Sequence, residues 1–256
     1  SEGLLRGVAT GFDHHGYTVG GFNCYADSEV LSGSGMSSSA CFEVLIGTIM
    51  NEVYNKGKAT HVEVARIGQY AENVYFMKNS GLLDQMACSI GSFAYIDFKD
   101  PENPYVEKIN FDPGKFGYDL ILTDVRASHA DLSDEYSLVP EEMKAAARVL
   151  GKEVLCDCTL NELVTHCKEI REKFGDRAFL RAYHFVNETT RAEKEAEYMK
   201  KNDIASFFAE VNASGRSSWM YLQNISAPGD SKHQAIAVAL ALSESLLKTD
   251  GAWRVH

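Results

Sequence analysis

The chain has 256 residues, and a prior of about 150 residues per domain makes it one large or two modest domains. Acidic residues number 36 against 25 basic ones, a formal net charge of −11. This excludes sequence-general nucleic-acid binding, which needs a cationic face against the phosphates. Hydrophobic residues at 45% and charged residues at 24% exclude a disordered or fibrous chain. The apolar run Ala235 to Leu242 is far too short to span a membrane, so no membrane association is expected. The N-terminus shows no signal-peptide layout or lipidation signal.

Along the chain, Leu4 to Val30 is rich in Gly, Tyr, Phe and Val around Asp13-His14-His15-Gly16 and reads as strands joined by a solvated polar turn. A Gly/Ser loop, Ser32 to Ala40, then runs into a helix with Phe42, Leu45, Ile46, Ile49, Met50 and Val53 on its inward face. A second helix is expected from His61 to Met77, with Val64, Ile67, Ala71 and Val74 inward, and a short one from Leu82 to Ile90. Phe93 to Phe98 alternates as a strand, with Val106 to Phe111 as its partner. The stretch Asp112-Pro-Gly-Lys-Phe-Gly117 marks the expected domain boundary, giving domains of residues 1–115 and 116–256.

Beyond it, Leu120 to Val125 reads as a buried strand. Helices are expected over Pro140 to Leu150, Leu160 to Phe174, Phe179 to Lys201, Ile204 to Val211 and His233 to Leu247. Glu193 to Glu197 with Lys200 and Lys201 form a solvated helix face. Strands with few helices followed by mainly helices indicate an α+β protein of two domains.

The six cysteines are scattered and read as reduced thiols, which suits a cytoplasmic protein. Cys156, Cys158, His166 and Cys167 could form a tetrahedral zinc set, but the spacing is tighter than usual. Leu160, Leu163 and Cys167 also fit one helix face, so helix-core thiols are the preferred reading.

The Gly33–Ala40 loop carries the most chemistry. Its glycines allow close backbone approach, its serines offer hydroxyls, and the following helix presents unpaired N–H groups. Such a loop suits phosphate oxygens, although N-capping or linker roles use the same residues. No Gly-Lys-Ser/Thr ends it, so it is not a Walker loop. Downstream, Glu72 and Asp84 could supply a metal ligand and a proton acceptor for phosphoryl transfer. Taken alone, each reads equally as a surface or helix-dipole carboxylate.

Together these residues carry a resemblance. Gly33-Ser-Gly-Met-Ser-Ser-Ser-Ala40 resembles the Gly-x-Gly-Leu-Ser-Ser-Ser-Ala signature of the galactokinase branch of the GHMP small-molecule kinases. Ala71-Glu72, followed by Gly81-Leu-Leu-Asp-Gln85, resembles that branch's Glu and its Gly-Ile-Met-Asp-Gln. Arg6-Gly-Val, the Asp124 to Tyr136 segment, Arg181-Ala-Tyr-His184 and Asn212 to Arg216 agree, so the similarity spans nearly the whole chain.

The resemblance implies an N-terminal ribosomal-S5-domain-2-like domain and a C-terminal ferredoxin-like domain with added helices, the site lying between them. It implies ATP and Mg2+ as cofactors. The nucleotide would be held by Gly33, Ser34, Gly35, Ser37, Ser38 and Ser39, and the metal by Ser39 and Glu72. Asp84 would act as base or orienting group for the anomeric hydroxyl of galactose or a related sugar, and Tyr136 would line the sugar pocket. A sugar and ATP are thus the expected partners, with no nucleic acid, membrane or obligate protein partner. A non-catalytic sugar and nucleotide sensor is the alternative, but Ser39, Ala40 and Asp84 are all present and favour the enzyme. Less favoured is a kinase for another small molecule.

The pattern also departs from the family. The first signature, Gly-Arg-x-x-x-x-Gly-Glu-His-x-Asp, and the third, Gly-rich one are absent from the 256 residues. Ser137 to Glu142 replaces the arginines usual after the tyrosine, and Pro228-Gly-Asp-Ser replaces Pro-Glu-Leu-Asp. The expectation is therefore part of a longer kinase, inactive by itself.

Overall fold

The computed structural model describes residues 2–29, 36–77, 80–125, 133–226 and 228–247. The chain divides into two compact units, residues 1–98 with 102–108, and residues 99–101 with 109–256.

In the first unit, helix α1 (Glu2–His14) packs with α2 (Ser38–Asn55) and α3 (His61–Tyr70). Val8 and Phe12 of α1 meet Val44, Ile46 and Met50 of α2 and Val64 and Ile67 of α3 in one apolar cluster. Close approach is made possible by glycine. A Cβ at Gly7 would lie 2.8 Å from the Ala71 Cβ, and one at Gly11 would lie 2.9 Å from Ile67 Cγ2. This explains why the strands expected over Leu4–Val30 are instead, in the described residues to Glu29, a helix followed by irregular chain: glycines at every fourth position let α1 pack against its neighbours, and packing outweighs their poor helix propensity.

The buried face of α2 also differs from expectation. It consists of Ala40, Glu43, Val44, Ile46, Gly47, Met50, Asn51 and Asn55, while Leu45 and Val53 are exposed. Buried Asn51 is satisfied, its amide exchanging hydrogen bonds of 2.9 Å with the Ala59 backbone in both directions. Thr60 and Glu63 form a capping box at the start of α3. After α3 the backbone widens into one π-helical turn, Ala71–Tyr75, closed by the Phe76 N–H donating to the Ala71 carbonyl at 3.2 Å. The altered winding turns Val74 outward, against expectation, and leaves Glu72 buried. Helix α4 (Leu83–Ile90) follows, and then strands β1 (Phe93–Asp97) and β2 (Tyr105–Ile109), which pair as expected. This is the only sheet among the described residues.

In the second unit, Asp112 caps a tight turn over Pro113–Phe116, its carboxylate accepting from the Gly114 N–H at 3.0 Å. Gly117 closes it at φ +80°. Leu120 to Val125 forms no strand, and Leu120 is 92% exposed; no neighbouring strand among the described residues offers it a ladder. The remainder is helical: α5 (Ser133–Val149), α6 (Leu160–Thr165), α7 (Cys167–Phe174), α8 (Asp176–Lys201), α9 (Ile204–Ser217) and α10 (Ala235–Leu247). The single helix expected over Leu160–Phe174 is broken at His166, whose ψ of 10° leaves the helical range. Ala146, Ala147, Leu163, Ile170, Ala178 and Ala182 form the core. All six cysteines are free, with Cys158 buried, and no metal-holding group of His, Cys, Asp or Glu exists among the described residues. The Glu193–Glu197 face of α8 is largely exposed, as expected.

A partly buried ion network joins α5 and α8. Arg181 of α8, 2% exposed, donates to the Leu222 carbonyl at 3.1 Å and to Glu142 of α5 at 3.0 Å. Arg177 forks onto the same carboxylate at 2.7 and 2.9 Å. Removing Glu142 would leave the buried Arg181 charge uncompensated.

Thr159 and Glu162 form a second capping box, at α6, which Lys152 joins at 3.1 Å. The Thr159 backbone N–H, then its hydroxyl, then the Lys152 ammonium hold the Glu162 carboxyl down from 4.5 to about 2. A depressed carboxylate adds stability that is complete above the unfolded-state value and lost as pH falls through the folded one. Glu162→Gln should therefore flatten the pH dependence of stability between about pH 4.5 and 2, with chemical denaturation measured across that range as the check.

Candidate functional site

Helix α2 starts immediately after Ser37, whose backbone is left-handed at φ 53° and ψ 39°. A non-glycine residue held there signals a constrained loop-to-helix junction. Ser37 makes no side-chain cap, its carbonyl accepts from the Cys41 N–H at 2.9 Å, and the first turn carries no acidic side chain. The first-turn amides thus have no carboxylate competing with an incoming anion. Ser37, Ser38 and Ser39 are half-buried, and Ala40 is buried behind them. Gly33, Ser34 and Gly35 lie outside the described residues.

Glu72, 3% exposed, sits on the π-helical turn. The Gln85 Nε2 donates to Glu72 Oε2 at 3.3 Å and to Glu43 Oε2 of α2 at 3.2 Å. Gln85 and Glu43 are 1% and 0% exposed. One buried amide therefore joins α2, the π-turn and α4. Asp84, the preceding residue, lies exposed in the first turn of α4. Burial, and after it the charges of Cys41, Asp84 and Glu43, push the Cys88 thiol up, so these groups share one electrostatic neighbourhood.

The connection into α4 is also pinned. Asn73, next to Glu72, accepts from the Ser80 N–H at 2.8 Å and donates to the Ser80 carbonyl at 3.1 Å, and Gln69 donates to that carbonyl as well. The structure thus brings Glu72 and the start of α4 into one framework through Gln85 and Asn73. Tyr136 belongs to the second unit, exposed on α5. Sequence reasoning gave Gln85 no role beyond its place in the motif and missed Glu43, Asn73 and Ser80. The signal for Glu43 was a carboxylate among Ala40, Val44 and Gly47, spaced as a buried helix face.

Residues 4–92 match the family model of the GHMP kinases N terminal domain. The chain resembles the galactokinase branch of these kinases in sequence and in fold. It is 30% identical over 216 residues to the galactokinase of Streptomyces coelicolor, covering 82% of this chain and 54% of that protein. It is 28% identical over 206 residues to that of Clostridium tetani, covering 79% and 51%. A crystal structure of Lactococcus lactis galactokinase complexed with galactose shares the fold with a TM-score of 0.68 at 20% identity, over 88% of this chain and 57% of that one. The chain spans about half the length of the curated relatives it matches.

The Asn73–Ser80 clamp yields a test. Asn73→Ala should lower stability by about 1–3 kcal/mol by orphaning the Ser80 N–H, as measured by urea denaturation.

Proposed function

We propose that the protein transfers the γ-phosphoryl group of ATP to the anomeric hydroxyl of galactose or a closely related sugar, giving the sugar 1-phosphate and ADP. The observation that supports this best is the Gln85 amide tying the serine helix, Glu72 and the helix of Asp84 into one rigid frame. Phosphoryl transfer demands positioning and charge stabilisation more than covalent chemistry, and a locked frame provides the first.

In this reading residues 1–115 form the nucleotide-binding domain and residues 116–256 the C-terminal domain. The amides and hydroxyls of Gly33, Ser34, Gly35, Ser37, Ser38 and Ser39 hold the phosphates. Asp84 receives the hydroxyl proton as the sugar oxygen bonds to phosphorus and the bond to the ADP oxygen breaks. Its exposed position in the first turn of α4 leaves it accessible to a sugar. Tyr136 lines the sugar pocket.

Magnesium fits the donors present. Ser39 and Glu72 would hold the ion, since a hydroxyl and a buried carboxylate are hard oxygen donors of the kind it prefers. When bound, it neutralises charge on the transferring phosphates. Six free thiols agree with a cytoplasmic setting, and no helix among the described residues is long and apolar enough to cross a membrane. The 256 residues lack the first family signature, which supplies an arginine beside the catalytic aspartate, and we expect them to show negligible transfer by themselves.

Asp84→Asn removes the proton acceptor and preserves shape. In a form of the protein that phosphorylates sugar, it should cut turnover by about 100-fold or more while leaving ATP affinity near wild type. A coupled ADP assay beside calorimetric binding measures both, and a near-normal rate would remove Asp84 from its role. Ser39→Ala and Glu72→Gln should each raise the magnesium concentration needed for half-maximal nucleotide binding. Unchanged magnesium dependence in both would make these residues structural.

A further inference from the structure

Glu43 has no part in the reading above, yet it is the more deeply buried of the two carboxylates on the Gln85 amide. Its place on α2 is a core position, flanked on the same face by Ala40, Val44 and Gly47. Packing alone calls for an apolar side chain there, because a buried carboxylate carries a desolvation cost.

The geometry shows what the carboxylate does. An amide group has a donor end and an acceptor end, whereas a carboxylate only accepts. With Glu43 Oε2 at 3.2 Å and Glu72 Oε2 at 3.3 Å, the Gln85 side chain must turn its Nε2 toward both. Its Oε1 is buried without a hydrogen-bond partner, so this orientation is imposed by the two acceptors and not by any donor to the oxygen. Both side chains pack against Gly68 of α3. A Cβ on Gly68 of α3 would lie 3.2 Å from Gln85 Cγ and 3.3 Å from both Glu43 Cβ and Glu43 Oε2.

We propose that Glu43 is a positioning residue which, through the Gln85 amide, fixes the Glu72 carboxylate in the orientation that receives the magnesium–nucleotide complex. The inference rests on the metal role proposed for Glu72. Glu43→Gln keeps the volume but offers Gln85 both a donor and an acceptor, so the amide is free to turn over and Glu72 loses its fixed donor. Partners one shell away from a metal ligand typically change metal affinity by about 10–100-fold when removed.

The test is calorimetric titration of the 256-residue chain with a non-hydrolysable ATP analogue, once with magnesium and once with EDTA. Glu43→Gln should weaken binding about 10-fold or more with magnesium and leave the EDTA affinity within about twofold. Gln85→Met, which keeps the bulk and deletes the amide, should show the same split. The double variant Glu43→Gln/Glu72→Gln should bind no more weakly than Glu72→Gln alone, because Glu43 acts through Glu72. If Glu72→Gln loses the magnesium-dependent affinity and Glu43→Gln keeps it, the positioning role is overturned and the metal assignment stands. If Glu43→Gln weakens both conditions equally, its role is structural and the proposal fails. If Glu72→Gln itself shows no split, the metal assignment fails and takes this inference with it.

Discussion

The first unit depends on one buried amide held between two buried carboxylates. Gln85 donates to both Glu43 and Glu72, and through it α2, the π-helical turn and α4 keep a common register. A buried polar cluster of this kind tolerates few arrangements, since each displaced member leaves polar atoms unpaired in an apolar surround. The glycines of α1 and α3 serve the same end. By admitting close backbone contact they bring the helices near enough for short side chains to meet.

The π-helical turn is the local device that makes the arrangement possible. An uninterrupted α3 would carry the 100° step per residue through Ala71–Tyr75, as the periodicity suggested. The wider turn instead sends Val74 to solvent and Glu72 inward, and Asn73 is left to grip Ser80 and guide the chain into α4. A single change in winding thus selects which neighbouring side chains face the site.

The second unit is organised by charge as well. Glu142 receives both Arg177 and Arg181, and Arg181 also reaches the Leu222 carbonyl, so α5, α8 and the turn after α9 are bound together from inside. Burial lowers the Arg181 guanidinium from its ordinary value, with Glu142 opposing that shift. Within α5, Pro140 offers no N–H to the Tyr136 carbonyl. The contact of Arg177 with Glu135, at 3.6 Å, and its fork onto Glu142 span that proline and hold both sides of it to α8.

Much of the element order was legible in the sequence. The 3.6-residue period located α4, α8 and α10 to within about three residues, and alternation located β1 and β2, whereas α5 begins and α9 ends well outside the expected bounds. The serine loop, Glu72 and Asp-Gln at 84–85 were legible as a group because their types and spacing match a known pattern. Three things were decided only in tertiary structure. Glycine-rich Leu4–His14 became a helix because its neighbours accept close packing, which no local propensity encodes. Leu120–Val125 has strand composition but no strand, because a ladder needs a partner as well as a sequence. Glu43 became a buried anchor because the donor that reaches its Oε2 lies 42 residues away along the chain, on another helix. Local sequence sets propensity and the inventory of chemical groups; which of those groups meet inside the protein depends on long-range packing, and there the partners of buried charge are chosen.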